Sequence, residues 1–85
     1  MALTVGKLEE FDPKIDSIVS YVERAQLFLE ANSVPEAKHV PTFLSAMGKS
    51  NYETLRNLMA PDKPKDKSLD DIISVLKQHF KPKHS

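Results

Sequence analysis

Apolar side chains recur every three or four residues in four separate stretches of this chain, with polar residues between them. That spacing places the apolar side chains along one face of an α-helix. The four predicted helices cover residues 13–32, 34–47, 51–59 and 69–80. On the first helix, the predicted apolar face contains Ile15, Ile18, Val19, Val22 and Leu29. No β-hairpin pattern and no Asn-Gly or Asp-Gly turn interrupts these stretches. The pattern therefore predicts an all-α protein, a small bundle of about four short helices.

Residues that commonly begin helices precede each predicted helix. Asp12 with Pro13 suits the first start, because Asp caps free N–H groups and Pro fits a first turn. Two further starts match the capping box, in which Ser and a Glu three residues later satisfy two backbone N–H groups. These are Ser33 with Glu36 and Ser50 with Glu53. Ser68 is the predicted N-cap of the fourth helix.

Prolines, a glycine and an asparagine mark where the predicted helices end. Asn32 is predicted to close the first helix in the left-handed conformation, and Gly48 to end the second. Pro61 and Pro82 stop the third and fourth helices. Pro41 lies inside the second predicted helix, and we expect it to kink or shorten that helix because it lacks an N–H group.

Two segments fall outside the helical pattern. Residues 1–12 form an N-terminal arm whose apolar residues fit no period, so the arm is either disordered or extended across the core. Residues 60–67 form a charged, proline-containing connector that should bury almost nothing. The predicted organisation is therefore an arm (1–12), a helical lobe (13–82) and a short tail (83–85).

The composition limits the class of protein. A length of 85 residues fits one small domain. Twelve Lys and Arg residues balance twelve Asp and Glu residues, which argues against a helix-turn-helix DNA binder and against a polybasic membrane surface. The absence of cysteine excludes disulfides, zinc knuckles and thiol catalysis. No apolar run approaches the ~18 residues of a membrane span, and no secretory signal is recognisable. We expect a soluble, cytosolic protein.

The polar residues do not form the constellations that catalysis requires. No serine stands in a nucleophile-elbow motif. His39, His79 and His84 are not spaced for a metal site on one helix face. Two glycines cannot build a dinucleotide-binding or phosphate-binding loop. The sequence therefore predicts no enzymatic activity, no metal and no cofactor.

The order of features along the chain is more specific than any single one of them. LEEFDP (8–13) precedes a helix with YVER (21–24) and LFLEAN (27–32). FLS (43–45), YETLRNL (52–58) and LKQHF (76–80) follow in that order. From about Leu8 to Lys83, this set resembles the N-terminal lobe of the capsid region in the Gag polyprotein of gypsy-type long-terminal-repeat retrotransposons.

The resemblance implies a retroviral-capsid-like, all-helical lobe without enzymatic activity. In that family, such lobes pack around local symmetry axes to form capsid-like shells that enclose the RNA of the element. The implied protein is structural and cytoplasmic, and its partner is a copy of itself. RNA would be bound only through downstream regions of the polyprotein, and no membrane is involved.

The resemblance also includes domesticated host proteins, such as the neuronal activity-regulated cytoskeleton-associated protein, and these suggest a second function. The corresponding lobe of that protein accepts short peptides in an apolar groove near the first helix and the arm. A domesticated module that grips a short host peptide is therefore the alternative hypothesis. Matched by order, the groove or arm positions are Leu8, Phe11, Ile18, Tyr21, Ala25 and Met47.

The chain departs from the family at several points. Ile18 stands nearest to a position at which many relatives have Trp, and Pro41 is unusual in a second helix. The C-terminal capsid lobe and the Cys/His zinc knuckle do not follow in this sequence. Because the arm is family-like from the outset, we expect a natural N-terminus and a C-terminal part that has been cut or lost.

Overall fold

Four short α-helices follow one another in the computed structural model, which describes residues 8–81. They are α1 (Ile18–Ala31), α2 (His39–Ala46), α3 (Lys49–Met59) and α4 (Leu69–His79), with 3₁₀ turns at Glu36–Lys38 and Pro64–Asp66. No β-strand occurs among residues 8–81. The predicted all-α bundle of four short helices is confirmed. Residues 1–7 of the predicted arm and residues 82–85, which include the predicted tail, lie outside the described residues.

The first helix begins at Ile18, so the predicted start at Pro13 is wrong. Ser17 is the N-cap, and its hydroxyl accepts a hydrogen bond from the N–H of Ser20 at 3.4 Å. The helix buries one side against the core, while the other side faces solvent.

Residues 12–17 form a separate turn instead of the first turn of α1. The Asp12 carboxylate accepts the N–H of Lys14 at 2.9 Å, and the Asp12 N–H donates to the Asp16 carboxylate at 2.9 Å. An Asp side chain that bonds the backbone two residues ahead stabilises a local turn in competition with helix capping. As a result, Ile15 lies outside the helix and is 80% exposed, which contradicts its predicted place on the apolar face.

The start of α2 also differs from the prediction. No side chain caps the 3₁₀ turn that precedes α2, so the capping box predicted for Ser33 and Glu36 does not form. Ser33 has a φ of 51°, whereas Asn32, the predicted left-handed residue, has a φ of −95°. Pro41 falls in the first turn of α2, where backbone N–H groups have no partner within the helix. The proline therefore coincides with a short, eight-residue helix, one of the two predicted outcomes.

Gly48 separates α2 from α3, as predicted, and is also the N-cap of α3. Its φ of 104° lies in a region that residues with a Cβ rarely adopt. Because α3 begins at Lys49, Ser50 lies inside the helix, and the capping box predicted for Ser50 with Glu53 is wrong.

The fourth helix starts where the sequence predicts. The Ser68 hydroxyl accepts the N–H of Asp71 at 3.2 Å, which confirms Ser68 as the N-cap. Acidic residues occupy the first turn of α4, and Lys77 and His79 occupy its last turn. This distribution places a favourable charge at each end of the helix dipole.

The core lies where α1 and α3 both pack against α4. One cluster of buried side chains joins the helices and the arm. Its members are Leu8, Phe11, Ile18, Tyr21, Val22, Ala25, Phe43, Met47, Leu55, Ile72, Ile73 and Leu76. Most of them come from α1 and α4, so these two helices supply the main apolar surfaces.

The arm and the connector both contribute to the core. Leu8 and Phe11 are buried, so the described part of the arm extends across the core, the second of its two predicted alternatives. The prediction that the connector buries almost nothing is wrong at Pro64, which is fully buried. The 3₁₀ turn that begins with Pro64 packs against α2 and α3.

We predict that Gly48→Ala destabilises the lobe. A Cβ at this position would lie 3.0 Å from Glu10 Oε1, at a φ of 104°. The strained backbone alone should lower the free energy of unfolding by about 1–3 kcal/mol, measured by urea denaturation. In a Glu10→Ala background, which removes the contacting carboxylate, the loss should shrink but persist. An unchanged unfolding midpoint in Gly48→Ala would contradict this account.

Candidate functional site

The arm occupies a slot between α1, the α2–α3 junction and the end of α4. The Phe11 ring packs between two other aromatic rings, with centroids 5.2 Å from Tyr21 and 5.0 Å from Phe80. Both contacts are tilted or edge-to-face, a favourable arrangement for aromatic pairs. Phe11 therefore joins the arm to both α1 and the end of α4.

Backbone groups of the arm are bonded by the core. The Tyr21 hydroxyl donates to the Glu9 carbonyl at 2.8 Å, and the Phe11 N–H donates to the Met47 carbonyl at 3.2 Å. The Asn51 side-chain amide donates to the carbonyl of Phe11 and to that of Met47, the latter at 2.8 Å. These bonds hold the main chain of an extended segment irrespective of its side chains.

Asn51 is the buried polar side chain in the described core. A buried amide without partners is destabilising, and its two hydrogen bonds meet that requirement. One of those bonds goes to the arm across forty residues of sequence. Burial of the Asn51 amide therefore depends in part on the arm segment that occupies the slot.

Tyr21 is a neutral donor at this site. Burial raises the pKa of Tyr21 to about 12, the Asp16 and Glu10 carboxylates add to the increase, and the Arg24 guanidinium opposes it. The phenol therefore stays protonated at neutral pH and keeps its hydrogen bond to the Glu9 carbonyl.

The structure brings together all the residues predicted as groove or arm positions. Each is buried in the same cluster, and they are Leu8, Phe11, Ile18, Tyr21, Ala25 and Met47. Their apolar surface is covered by the arm itself and by neighbouring helices. The structure does not test a role for them in peptide binding, which stays a prediction.

Two residues of the slot, Asn51 and Phe80, were not predicted from the sequence. Asn51 stood at the start of a predicted helix, and nothing in its local pattern distinguishes a buried amide from an exposed one. Phe80 was assigned to the apolar stripe of α4, but its contact with Phe11 joins positions almost seventy residues apart. A hydrophobic period identifies a face of a helix and not the element that covers it.

A second feature is a row of residues on the solvent side of α1. Val19 and Leu27 are 42% and 63% exposed, and the exposed Glu23 and Glu30 lie between or beside them. Within α1 these positions are three or four residues apart and therefore share one side of the helix. We call Val19, Glu23, Leu27 and Glu30 the α1 ridge. Val19, like Ile15, was predicted to be buried and is not.

The remaining polar side chains bear on the question of a metal site. No three His, Asp or Glu side chains among residues 8–81 are placed to hold a metal ion. His39 Nε2 lies 2.8 Å from the Val34 carbonyl, a contact that fixes the turn before α2. Among residues 8–81, the helices are too short or too polar to cross a bilayer.

No protein-family model, curated protein or solved structure matches this chain.

We predict that the stability that Tyr21 gives the lobe is lost at alkaline pH. Its folded pKa of about 12 exceeds the ordinary value of 10.0, so the folded state favours the protonated phenol. The contribution is fully present below pH 10 and is lost as the pH rises toward 12. The free energy of unfolding should fall over this window more steeply in the native chain than in Tyr21→Phe. Equal slopes in the two chains would contradict the prediction.

Proposed function

We propose that this chain is a structural protein, the capsid N-terminal lobe of a Gag polyprotein of the gypsy type. In this proposal it self-associates, as part of the full-length Gag, into cytoplasmic capsid-like shells that package the RNA of the element. The observation that carries the proposal is the α1 ridge, where Val19 and Leu27 are exposed on the outer side of the helix. The all-helical fold and the order of sequence features support it.

Leu27 of the ridge lies outside the core. Tyr21, Val22 and Ala25 bury the opposite side of α1, and Leu27 is 63% exposed. Large apolar side chains that cluster on a surface are typical of sites that contact another protein. Packing against another copy of the lobe would bury these exposed side chains.

The strength of one such contact fits assembly through many weak interactions. Burial of one large apolar side chain contributes about 1.5–3 kcal/mol. Association of two molecules costs about 4–15 kcal/mol in lost freedom. A single pair of lobes is therefore bound weakly, whereas a shell in which every lobe makes several contacts is stable through multivalency.

The proposed role requires no catalysis and no cofactor. The balanced charge of the chain leaves RNA binding to downstream regions of the polyprotein. Neither the α1 ridge, which is acidic, nor the buried slot offers a surface suited to anionic lipids. The proposed partner of the lobe is thus another copy of the lobe.

We predict concentration-dependent self-association of the chain that depends on the α1 ridge. In sedimentation equilibrium, the average mass should rise with concentration into the millimolar range. Leu27→Asp should weaken association at least about tenfold, because it removes an apolar contact and adds charge. Ser74→Asp, on the exposed side of α4, is the matched control and should leave association unchanged. A native chain that stays monomeric throughout would contradict the proposal.

The alternative function is a domesticated Gag-derived module that binds a short host peptide. The arm favours this reading, because an extended segment already lies in the slot with its backbone bonded by Tyr21, Met47 and Asn51. A peptide with apolar residues spaced like Leu8 and Phe11 could replace the arm. The arm competes at high effective concentration, so a free peptide would bind only when the arm is weakened.

We predict that the full chain with Phe11→Ala binds a labelled peptide of residues 6–13 more tightly than the native chain does. The truncated side chain leaves room for the Phe of the peptide, and fluorescence anisotropy would measure the binding. Adding Asn51→Ala should abolish the gain, because the backbone carbonyl of the peptide then loses its donor. The absence of binding to Phe11→Ala, with helicity intact by circular dichroism, would contradict the alternative.

A further inference from the structure

A cleft of about 680 Å³ lies between the end of α1, the turn before α2 and the start of α4. Tyr21, Met47, Asn51 and Phe80, which hold the arm, do not line it. Sites for small organic molecules commonly enclose about 300–1,000 Å³, so this cleft is large enough for such a ligand. We call it the α1–α4 cleft, and the residues that define it are Leu29, Glu30, Val34, Glu36, His39 and Leu69.

The way in which α1 ends forms one wall of the cleft. Ser33 has a φ of 51°, its N–H donates to the Glu30 carbonyl at 3.0 Å, and the Val34 N–H donates to the Leu29 carbonyl at 3.0 Å. This pair of bonds around a left-handed residue is the Schellman motif, which turns the chain back over the last turn of a helix. Val34 is thereby brought back toward Leu29.

The lining of the cleft is divided between apolar and acidic side chains. Leu29 is buried, and Val34 and Leu69 are half-buried, so these three form the floor. Glu30 and Glu36 are exposed and lie at the rim. A ligand with an apolar body would remove the floor from water while its polar end stays at the carboxylates.

The charges around the cleft favour a cation. Among residues 8–81, no Lys or Arg lines the cleft, and no ion pair engages Glu30 or Glu36. The last turn of α1 contains no basic residue, whereas that of α3 has Arg56 and that of α4 has Lys77 and His79. The negative end of the α1 dipole therefore has no cation from its own last turn.

His39 adds a further acceptor to the lining. Its Nε2 lies 2.8 Å from the Val34 carbonyl, and because a carbonyl oxygen only accepts, Nε2 is the donor. The neutral ring then keeps Nδ1 as an acceptor, and ionised carboxylates also only accept. The cleft is thus matched to a ligand that donates hydrogen bonds and carries positive charge.

We propose that the α1–α4 cleft binds an organic cation, an ammonium or guanidinium group on an apolar stem. The stem lies against Leu29, Val34 and Leu69, and the cation lies beside Glu30 and Glu36. A free amine and the side chain of a lysine in a peptide share this chemistry. The inference goes beyond the proposed function, because it requires neither a second copy of the chain nor displacement of the arm.

A titration of the full chain with n-hexylammonium chloride, followed by ¹H–¹⁵N NMR, tests the proposal. The backbone amides of residues 29–39 and of Leu69 should shift and saturate in the millimolar range. The neutral match, 1-hexanol, should bind about threefold more weakly or worse, because it forms no ion pair with the two exposed carboxylates. The result does not depend on whether the chain self-associates.

Two variants with matched controls locate the site. Gln26→Lys places a fixed cation in the lining of the cleft and should abolish the saturable shifts, whereas Gln78→Lys, the same change at an exposed position of α4, should retain native binding. Glu36→Gln removes one rim carboxylate and should weaken binding by about two- to fivefold. Glu53→Gln, at an exposed position of α3, alters the net charge equally and should leave binding unchanged.

A second ligand distinguishes the sources of the cation. Binding of hexylammonium without binding of N-acetyl-lysine N-methylamide supports a free amine as the ligand, and binding of both supports the lysine side chain of a peptide. The absence of saturable shifts with either cation would overturn the proposal. Equal affinity for hexanol, or native affinity in both Gln26→Lys and Glu36→Gln with helicity intact by circular dichroism, would overturn it as well.

Discussion

The burial of Phe11 between Tyr21 and Phe80 is the interaction on which the rest of the lobe depends. A helical bundle this small has little apolar surface to bury, and the arm supplies part of what the helices lack. An extended segment carries unpaired backbone groups into the core, where they must be bonded. The Tyr21 hydroxyl and the Asn51 amide provide those bonds, so two polar side chains are buried as a consequence of using the arm.

The sequence predicted the helices better than it predicted their beginnings. Apolar periodicity located all four, and Ser68 marks its helix as expected. The error at Asp12 arises because Asp serves in turns as well as at helix starts, and a short motif does not distinguish these uses. Ser50 fails as a cap because α3 already begins at Lys49. Asp12 closes its own turn with Lys14 and Asp16, and this moves the start of α1 to Ile18.

The candidate slot was predictable in part. The resemblance to the Gag family placed Leu8, Phe11 and Tyr21 in the groove, and these residues do lie together. The prediction missed Asn51, because the partner of a buried amide depends on tertiary structure. It also placed Ile15 and Val19 on the apolar face of the first helix. Ile15 instead precedes the start of α1, and Val19 lies on the outer side of that helix.

The two sides of α1 show how apolar residues are divided between the core and the surface in a short chain. Those on the inner side of α1 meet α4 and the arm, and those on the outer side remain in water. Exposed apolar side chains lower solubility unless charges accompany them, and here Glu23 and Glu30 lie on the same side of α1 as Leu27.

The contact between Phe11 and Phe80 also has a consequence for the path of the polypeptide. It joins Phe11, near the start of the described chain, to Phe80, near its end, with 5.0 Å between the ring centroids. One aromatic contact therefore ties together segments from the two ends of the described lobe.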